Sequence, residues 1–490
     1  MSSETLTSTS ALEQGEDLVK PGMLPRAATL LGPIVFASLV FSGPPDGMTA
    51  SGWAVLALLA WMAVWWIGEA VPIAVTALLP LIVLPMMGAA DPGAAAAPYA
   101  DQIIFLFIGG FILAAGVERA GLHRRLALSM LTHAGSRTVT LLAGFMFVTA
   151  ALSMWISNIA ATLMLMPIAM GVARTLGTGG RTDPIVGGAL ALGVAYSASI
   201  GGIGTPVGTP TNLVAVGYLA RQGLSIPFTS WMAAAVPLML VLLVVTWAVL
   251  AWPLRRAARV PGIQDRLASE KAALGPISIA ERRVVVVFGI VGLAWMLRPL
   301  LTGLPGLSGL NDTTIAIAGA VALFLIPSGT GDRLMDWPTA ERIPWGIALL
   351  FGGGLSLAAA MDANGVTTWL GSSLDWMGQL APVVIVTAIV CIVIAATEFA
   401  SNTATLTAFL PVVGAVAVAS GVEPLLLLFP ATIAASLGFM MPIGTPPNAV
   451  AYSTGLIPLR RMLRIGIILN VLSAGAVVAM SQWLAPMFIG

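Results

Sequence analysis

Ser401, Asn402, Thr403, Ala404 and Thr405 place three hydroxyls and a carboxamide inside the apolar run from Ala381 to Ser420, where Glu398 is the only charge. Polar groups so far from water need a partner. A second copy, Ser157, Asn158, Ile159 and Ala160, lies upstream. An offset of 244 relates Ser157 to Ser401, Asn158 to Asn402 and Pro167 to Pro411, and again Ala114 to Ala358, Ala115 to Ala359 and Gly121 to Gly365. One half of the chain therefore repeats the other.

Each of these stretches is followed by a second motif: Gly208, Thr209, Pro210, Thr211, Asn212 in the first half and Gly444, Thr445, Pro446, Pro447, Asn448 in the second. Proline removes a backbone donor and glycine relaxes the chain, so both helices are expected to unwind mid-membrane, which is tolerated only around a cavity or ligand. Such breaks expose carbonyls, which suit a hard monovalent cation, and helix N-termini, whose free N–H groups and positive dipole end suit an anion. The hydroxyls of Ser153, Ser157, Thr397 and Ser401 and the amide oxygens of Asn158 and Asn402 add further oxygen ligands of a sodium-like kind. A single small-polar pair would read as a helix-packing contact. Four breaks recurring in pairs read as a site between the repeats.

The elements that must position these groups follow from composition. Of 490 residues, 58% are hydrophobic and 9% charged, which with apolar runs of membrane-spanning length predicts an all-α polytopic membrane protein. The lone Cys391 excludes an internal disulfide and, inside an apolar run, reads as a buried, inert thiol. His123 and His133 fall in an expected basic loop, leaving little material for a metal cluster or histidine-based catalysis. The expected organisation is a disordered tail at 1–23, a first span and loop at 24–51, a first repeat at 52–252, a cytoplasmic basic linker at 253–283 and a second repeat at 284–490.

Charge placement predicts the topology. Arg119, Arg124, Arg125 and Arg137 precede the segment Val139 to Val172, and Arg174 and Arg181 follow it, so both its ends should face the cytoplasm. The segment then turns back as two half-length helices with Ser157 and Asn158 at the tip. Its counterpart, Ala381 to Val418, lies in a stretch with no Lys or Arg from Leu370 to Leu459 and should start and finish on the outer face, with Ser401, Asn402 and Thr403 at its tip. Five crossings and one re-entrant hairpin per half, an odd number of crossings, invert the second half relative to the first. With the first span this predicts eleven transmembrane helices, the N-terminus inside, the C-terminus outside, and, of the Lys and Arg, only Arg221 and Arg298 outside. The competing reading makes each long segment a kinked helix or two full crossings. Glu398 suits either a proton carrier or a structural hydrogen bond, since its first-half mate is Met154.

The motifs "SNTAT" at Ser401 and "MPIGTPPN" from Met441 to Asn448, with "SMWISN" from Ser153 to Asn158 and "GTPTN" at Gly208, resemble the divalent anion/sodium symporter (INDY-like) family. The resemblance implies a homodimer whose transport domain moves like an elevator against a scaffold, with sodium as the coupling ion and no organic cofactor. It implies one sodium at Ser153, Ser157, Asn158 and the Gly208 carbonyl, and another at Thr397, the Ala400 carbonyl, Asn402 and the Gly444 carbonyl. A dianion would meet Ser157, Asn158, Thr209, Pro210, Ser401, Asn402, Thr403, Thr445 and Pro446. Ile159 departs from the family's Ser-Asn-Thr and removes one hydroxyl from the first tip. The expected function is uptake of a C4-dicarboxylate such as succinate, fumarate or malate with sodium, across the inner (plasma) membrane. Sodium-independent anion exchange, sulfate or tricarboxylate cargo, and more remotely a cation/proton antiporter are the alternatives; neither an enzyme nor a nucleic-acid binder fits.

Overall fold

The computed structural model describes residues 23–175, 183–224, 226–255, 260 and 262–484. The tail expected at the N-terminus falls almost wholly outside these residues, as do Arg181, Arg256 and Arg259. Among the described residues the chain is helical, with a single isolated bridge between Pro327 and Arg333 and no strand.

The first half comprises α1 (Met23–Ser42), α2 (Ala50–Ile67), a short helical segment over Ile73–Met86, α3 (Gln102–Arg119), α4 (Thr138–Ser153), α5 (Asn158–Thr175), α6 (Pro184–Gly202), α7 (Pro210–Arg221) and α8 (Phe228–Ala251). The second comprises α9 (Ile279–Leu301), α10 (Asp312–Leu325), α11 (Trp345–Ala363), α12 (Pro382–Thr397), α13 (Asn402–Ser420), α14 (Pro424–Ala435), α15 (Pro446–Ser453) and α16 (Leu459–Leu484). Between them, the basic linker carries a helix of its own, Ile263–Ala273. Nine helices among the described residues are long and apolar enough to cross a bilayer, and six apolar helices are shorter. This is an integral membrane protein.

Local chemistry sets the boundaries. Proline stands at the first helical position of α6, α7, α12, α14 and α15, where its missing N–H costs no hydrogen bond. Asp101 and Asp183 cap α3 and α6, and Ser278 with Glu281 forms a capping box on α9. Gly121 and Gly365, mates in the repeat, both adopt φ 72°, a left-handed conformation that a side chain would strain. Each turns the chain into a short helix ahead of its hairpin, Leu122–Leu131 or Val366–Ser373. His123 therefore lies on a helix and not in the expected loop.

The two long polar segments each fold as a pair of packed helices, α4 with α5 and α12 with α13. Their legs of 16 to 19 residues rise about 24 to 29 Å at 1.5 Å per residue, so they are longer than the half-length legs expected. The first legs start directly after Arg137 and Ala381 and run to Ser153 and Thr397.

Ion pairs mark the two ends of the bundle. At one end Arg119 meets Asp336 at 2.6 Å and Arg125 meets Glu281 at 2.7 Å. At the other, Arg221 lies 3.7 Å from Asp101 and Arg298 lies 2.9 Å from Asp312. The Thr313 hydroxyl, donating to Gln102 O at 3.2 Å, ties Asp312 to the start of α3. Because α11 begins just past Asp336, at the end where α3 finishes, these repeat mates run in opposite directions. Phe107 and Phe351, also related by the offset of 244, touch each other edge to face with ring centroids 4.2 Å apart. A residue meets its own mate where two copies share a two-fold axis.

Cys391 is exposed, correcting the expectation of a buried thiol. The buried face of α12 is Ile385, Val386, Ile389, Val390, Val393, Ile394 and Thr397, and Cys391 lies off it. In a membrane both faces of a helix are apolar, so an apolar run does not reveal which side faces protein.

Candidate functional site

Two small oxygen clusters form where each hairpin turns. In the first, the Ser153 hydroxyl donates to Asn158 Oδ1 at 2.6 Å and stands 2.7 Å from the Ala198 carbonyl. In the second, the Thr397 hydroxyl donates to Asn402 Oδ1 at 2.7 Å and stands 2.8 Å from the Ala435 carbonyl. A hydroxyl carries one proton. With the amides in this orientation each cluster holds three converging oxygens and one hydrogen, a donor-poor arrangement that suits a cation. Ser153 and Thr397 are fully buried.

The neighbouring helices supply the carbonyls because they break. α6 stops at Gly202 and α7 resumes at Pro210; α14 stops at Ala435 and α15 resumes at Pro446. The Asn212 amide donates to Gly202 O at 2.9 Å and Thr205 O at 2.7 Å, while Asn448 donates to Gly438 O at 2.9 Å and Met441 O at 3.1 Å. Each asparagine thus locks its own break. The offset between these mates is 236 and not 244, because fewer residues join hairpin to broken helix in the second half. Gly202 lets the Asn158 amide approach: a Cβ there would fall 2.7 Å from Asn158 Oδ1 and 3.2 Å from the Gly208 carbonyl.

Glu398 organises the second break further. Its Oε1 accepts the N–H of Phe439 at 2.8 Å and of Met440 at 2.9 Å and the Asn470 amide at 2.6 Å; its Oε2 accepts Met440 N–H at 3.0 Å and Met441 N–H at 2.9 Å. Both oxygens are engaged as acceptors, the geometry of a structural staple. Gly444 packs beside it, a Cβ there meeting Glu398 Oε2 at 3.5 Å.

The expected substrate-facing residues sit at the tips and helix starts. Ser157 is exposed and its hydroxyl accepts Ala160 N–H at 3.1 Å, which leaves the hydroxyl oxygen's second lone pair free for a ligand. Ile159 beside it is 42% exposed. Ser401 and Asn402 are half-buried, whereas Ala400 and Thr403 are buried. Thr209 and Thr445 precede Pro210 and Pro446 in extended conformation, and Thr445 Oγ1 accepts Asn448 N–H at 3.3 Å. The halves interlock here: α5 packs on α15, α7 on α13, and the Tyr196 hydroxyl of α6 donates to Phe439 O at 2.7 Å. The Ala198 and Ala435 carbonyls escaped sequence reasoning because a backbone oxygen leaves no mark on residue type. Ser199 and Ser436 were equally missed: like Asn212 and Asn448, each carries a buried side-chain oxygen without a hydrogen-bond partner.

Residues 25–489 match the family described as the sodium:sulfate symporter transmembrane region. The chain belongs to that family. Among its relatives in the sodium:sulfate symporter family, the sodium-dependent dicarboxylate transporter SdcS of Staphylococcus saprophyticus is 39% identical over 94% of this chain and 91% of that protein. The Staphylococcus aureus protein of the same name is 37% identical over the same shares. The crystal structure of the YdaH transporter of Alcanivorax borkumensis resembles this fold with a TM-score of 0.53 at 15% identity, over 96% of this chain and 98% of that one. At that identity the likeness concerns the fold alone.

Proposed function

We propose that this protein is a secondary active transporter that carries C4-dicarboxylates such as succinate, fumarate or malate together with sodium. The observation that carries the reading is the pair of matched, donor-poor oxygen clusters, Ser153–Asn158–Ala198 and Thr397–Asn402–Ala435, in a chain whose relatives are named sodium-dependent dicarboxylate transporters. One sodium is held at each cluster, with Ser157 and the Gly208 carbonyl completing the first and the Ala400 and Gly444 carbonyls the second. The dianion lies between the tips, against Ser157, Asn158, Ser401, Asn402 and Thr403 and the N-terminal turns of α7 and α15 at Thr209–Pro210 and Thr445–Pro446. None of these residues is cationic, so the bound sodium ions and helix N-termini offset the carboxylate charge.

The halves act as inverted repeats of five crossings each, giving eleven with the first span, and the hairpins with α6–α7 and α14–α15 move as one body in a homodimer. The Arg119–Arg125 end, richer in Lys and Arg, faces the cytoplasm of the plasma membrane, with the N-terminus inside and the C-terminus outside. Uptake of labelled succinate into proteoliposomes under an inward sodium gradient tests the reading. Replacing sodium with potassium or choline should abolish uptake. Undiminished uptake without a sodium gradient would make the protein an exchanger. The apolar Ile159 at one tip favours testing sulfate and a tricarboxylate as competitors in the same assay; either one outcompeting succinate would overturn the choice of cargo.

A further inference from the structure

A groove of about 1060 Å³ opens between α8 and α16. Along α16 the residues facing it are Arg461, Ile465, Ile468 and Leu472, spaced four, three and four apart as one helical stripe. Along α8 and the turn after it they are Val245, Val249, Trp252 and Arg255, in the opposite chain order, from apolar to cationic. Arg460 and Arg464 complete the mouth. Phe228 N–H donates to Asp312 at the far end of α8, so this mouth lies at the Arg119–Arg125 end of the bundle.

The charge at the mouth is uncompensated. The ion pairs among the described residues use Arg119, Arg125, Arg221, Arg266 and Arg298. None uses the four arginines here. Arg255 stacks 3.8 Å over the Trp252 ring, and Arg461 donates one bond to Pro184 O at 3.4 Å. Asp183, next to Pro184, caps the Ile185 and Val186 amides instead. Below the mouth the walls are apolar and open outward, with Ile468 and Leu472 nearly half exposed. From Arg461 to Leu472 the stripe covers about 16 Å at 1.5 Å per residue, close to one leaflet of a ~30 Å hydrocarbon core.

We propose that this groove binds one anionic phospholipid, its phosphate on Arg255, Arg460, Arg461 and Arg464 and an acyl chain between α8 and α16. A soluble anion would use only the mouth, and a second copy of the chain would have to bring carboxylates to this depth. The bilayer supplies both charge and chain there. The leaflet, the cytoplasmic one, rests on the orientation given above; the binding does not.

The test titrates delipidated, detergent-purified protein with dioleoylphosphatidylglycerol, dioleoylphosphatidylcholine or glycerol phosphate, read by native mass spectrometry and thermal stability. One phosphatidylglycerol should bind saturably, with phosphatidylcholine and glycerol phosphate far weaker. Arg460→Gln with Arg464→Gln should weaken it about 25-fold, roughly fivefold per arginine, while the Arg460→Lys, Arg464→Lys pair retains it and controls for folding. Ala248→Phe, on the exposed groove wall, should exclude the acyl chain and leave glycerol phosphate binding unchanged. Equal binding of both lipids, glycerol phosphate binding as tightly as phosphatidylglycerol, or unchanged phosphatidylglycerol binding in both the glutamine pair and Ala248→Phe would overturn the proposal. So would conversion of a dimer to monomer by Ala248→Phe, which would assign the groove to a second copy.

Discussion

Thr397→Val exchanges a hydroxyl for a methyl of nearly the same volume at the centre of the second oxygen cluster. Asn402 Oδ1 at 2.7 Å and the Ala435 carbonyl at 2.8 Å would then face a methyl group. An oxygen that interacts with a charged group contributes about 1.5 to 3 kcal/mol, so the half-saturating sodium concentration for succinate uptake should rise roughly ten- to a hundredfold. Thr432→Val is the control. Its hydroxyl is equally buried but bonds Leu428 O at 2.6 Å within α14 and neither Asn402 nor Ala435, so the same chemical change should leave the sodium constant unaltered. Ser153→Ala should match Thr397→Val at the first cluster. If two separate ions bind, the free-energy effects of the double variant should add. A wild-type sodium constant in Thr397→Val, or an equal shift in Thr432→Val, would refute the assignment of these oxygens to a cation.

Thr403→Ala should raise the apparent succinate constant roughly ten- to a hundredfold by removing one hydrogen bond to a charged group. Ile159→Thr should change selectivity among dianions with little effect on sodium dependence, and unaltered selectivity would remove the first tip from the substrate site. Single cysteines at Arg137 and Arg174, in a Cys391→Ala background, should react with an impermeant label from the same, cytoplasmic face, because α4 and α5 fold back on each other; labelling from opposite faces refutes the hairpin. Arg125→Ala should lower stability by about 3 to 5 kcal/mol, since it strands the buried Glu281 carboxylate. Arg266→Ala, at an exposed pair, should cost under about 1 kcal/mol. Thermal unfolding in detergent reads both, and equal losses would show that burial of the Arg125 pair carries no weight.

The repeat, the hairpin tips and the helix breaks were legible because each rests on residue types that act locally. Proline at a helix start, glycine at positive φ and an asparagine that can hold a broken strand of carbonyls announce themselves in any apolar run. The partners of Ser153 and Thr397 were not legible. Ala198 and Ala435 contribute backbone oxygen, and only the packing of α6 and α14 against the hairpins brings that oxygen near. Cys391 was misread for a related reason: hydropathy separates membrane from water but not lipid from protein interior. The short helix at Leu122–Leu131 was read as a basic loop, although Gly121 already marked its corner.

The halves differ most at Glu398, whose mate is Met154. A proton carrier must offer a carboxylate that can lose its partners, yet Glu398 meets three backbone N–H groups and the Asn470 amide. Glu398→Gln keeps the shape but turns one acceptor oxygen into a donor, so at least one N–H among Phe439, Met440 and Met441 faces another donor. Leaving a buried donor unsatisfied costs about 1 to 3 kcal/mol, and that strain falls on the loop between α14 and α15. The variant should therefore unfold at lower temperature and lose transport at every pH, with the sodium constant of the second cluster most affected because Gly444 packs against Glu398. A Glu398→Gln protein as stable as wild type that merely loses the pH dependence of uptake would instead make Glu398 a proton carrier. In the first half Asn212 and the Thr205 hydroxyl, which donates to Met154 O at 2.5 Å, hold the corresponding loop without a charge. The second break thus has a side-chain staple at Glu398 where the first has Met154, so Glu398→Gln should leave the sodium constant of the first cluster unaltered.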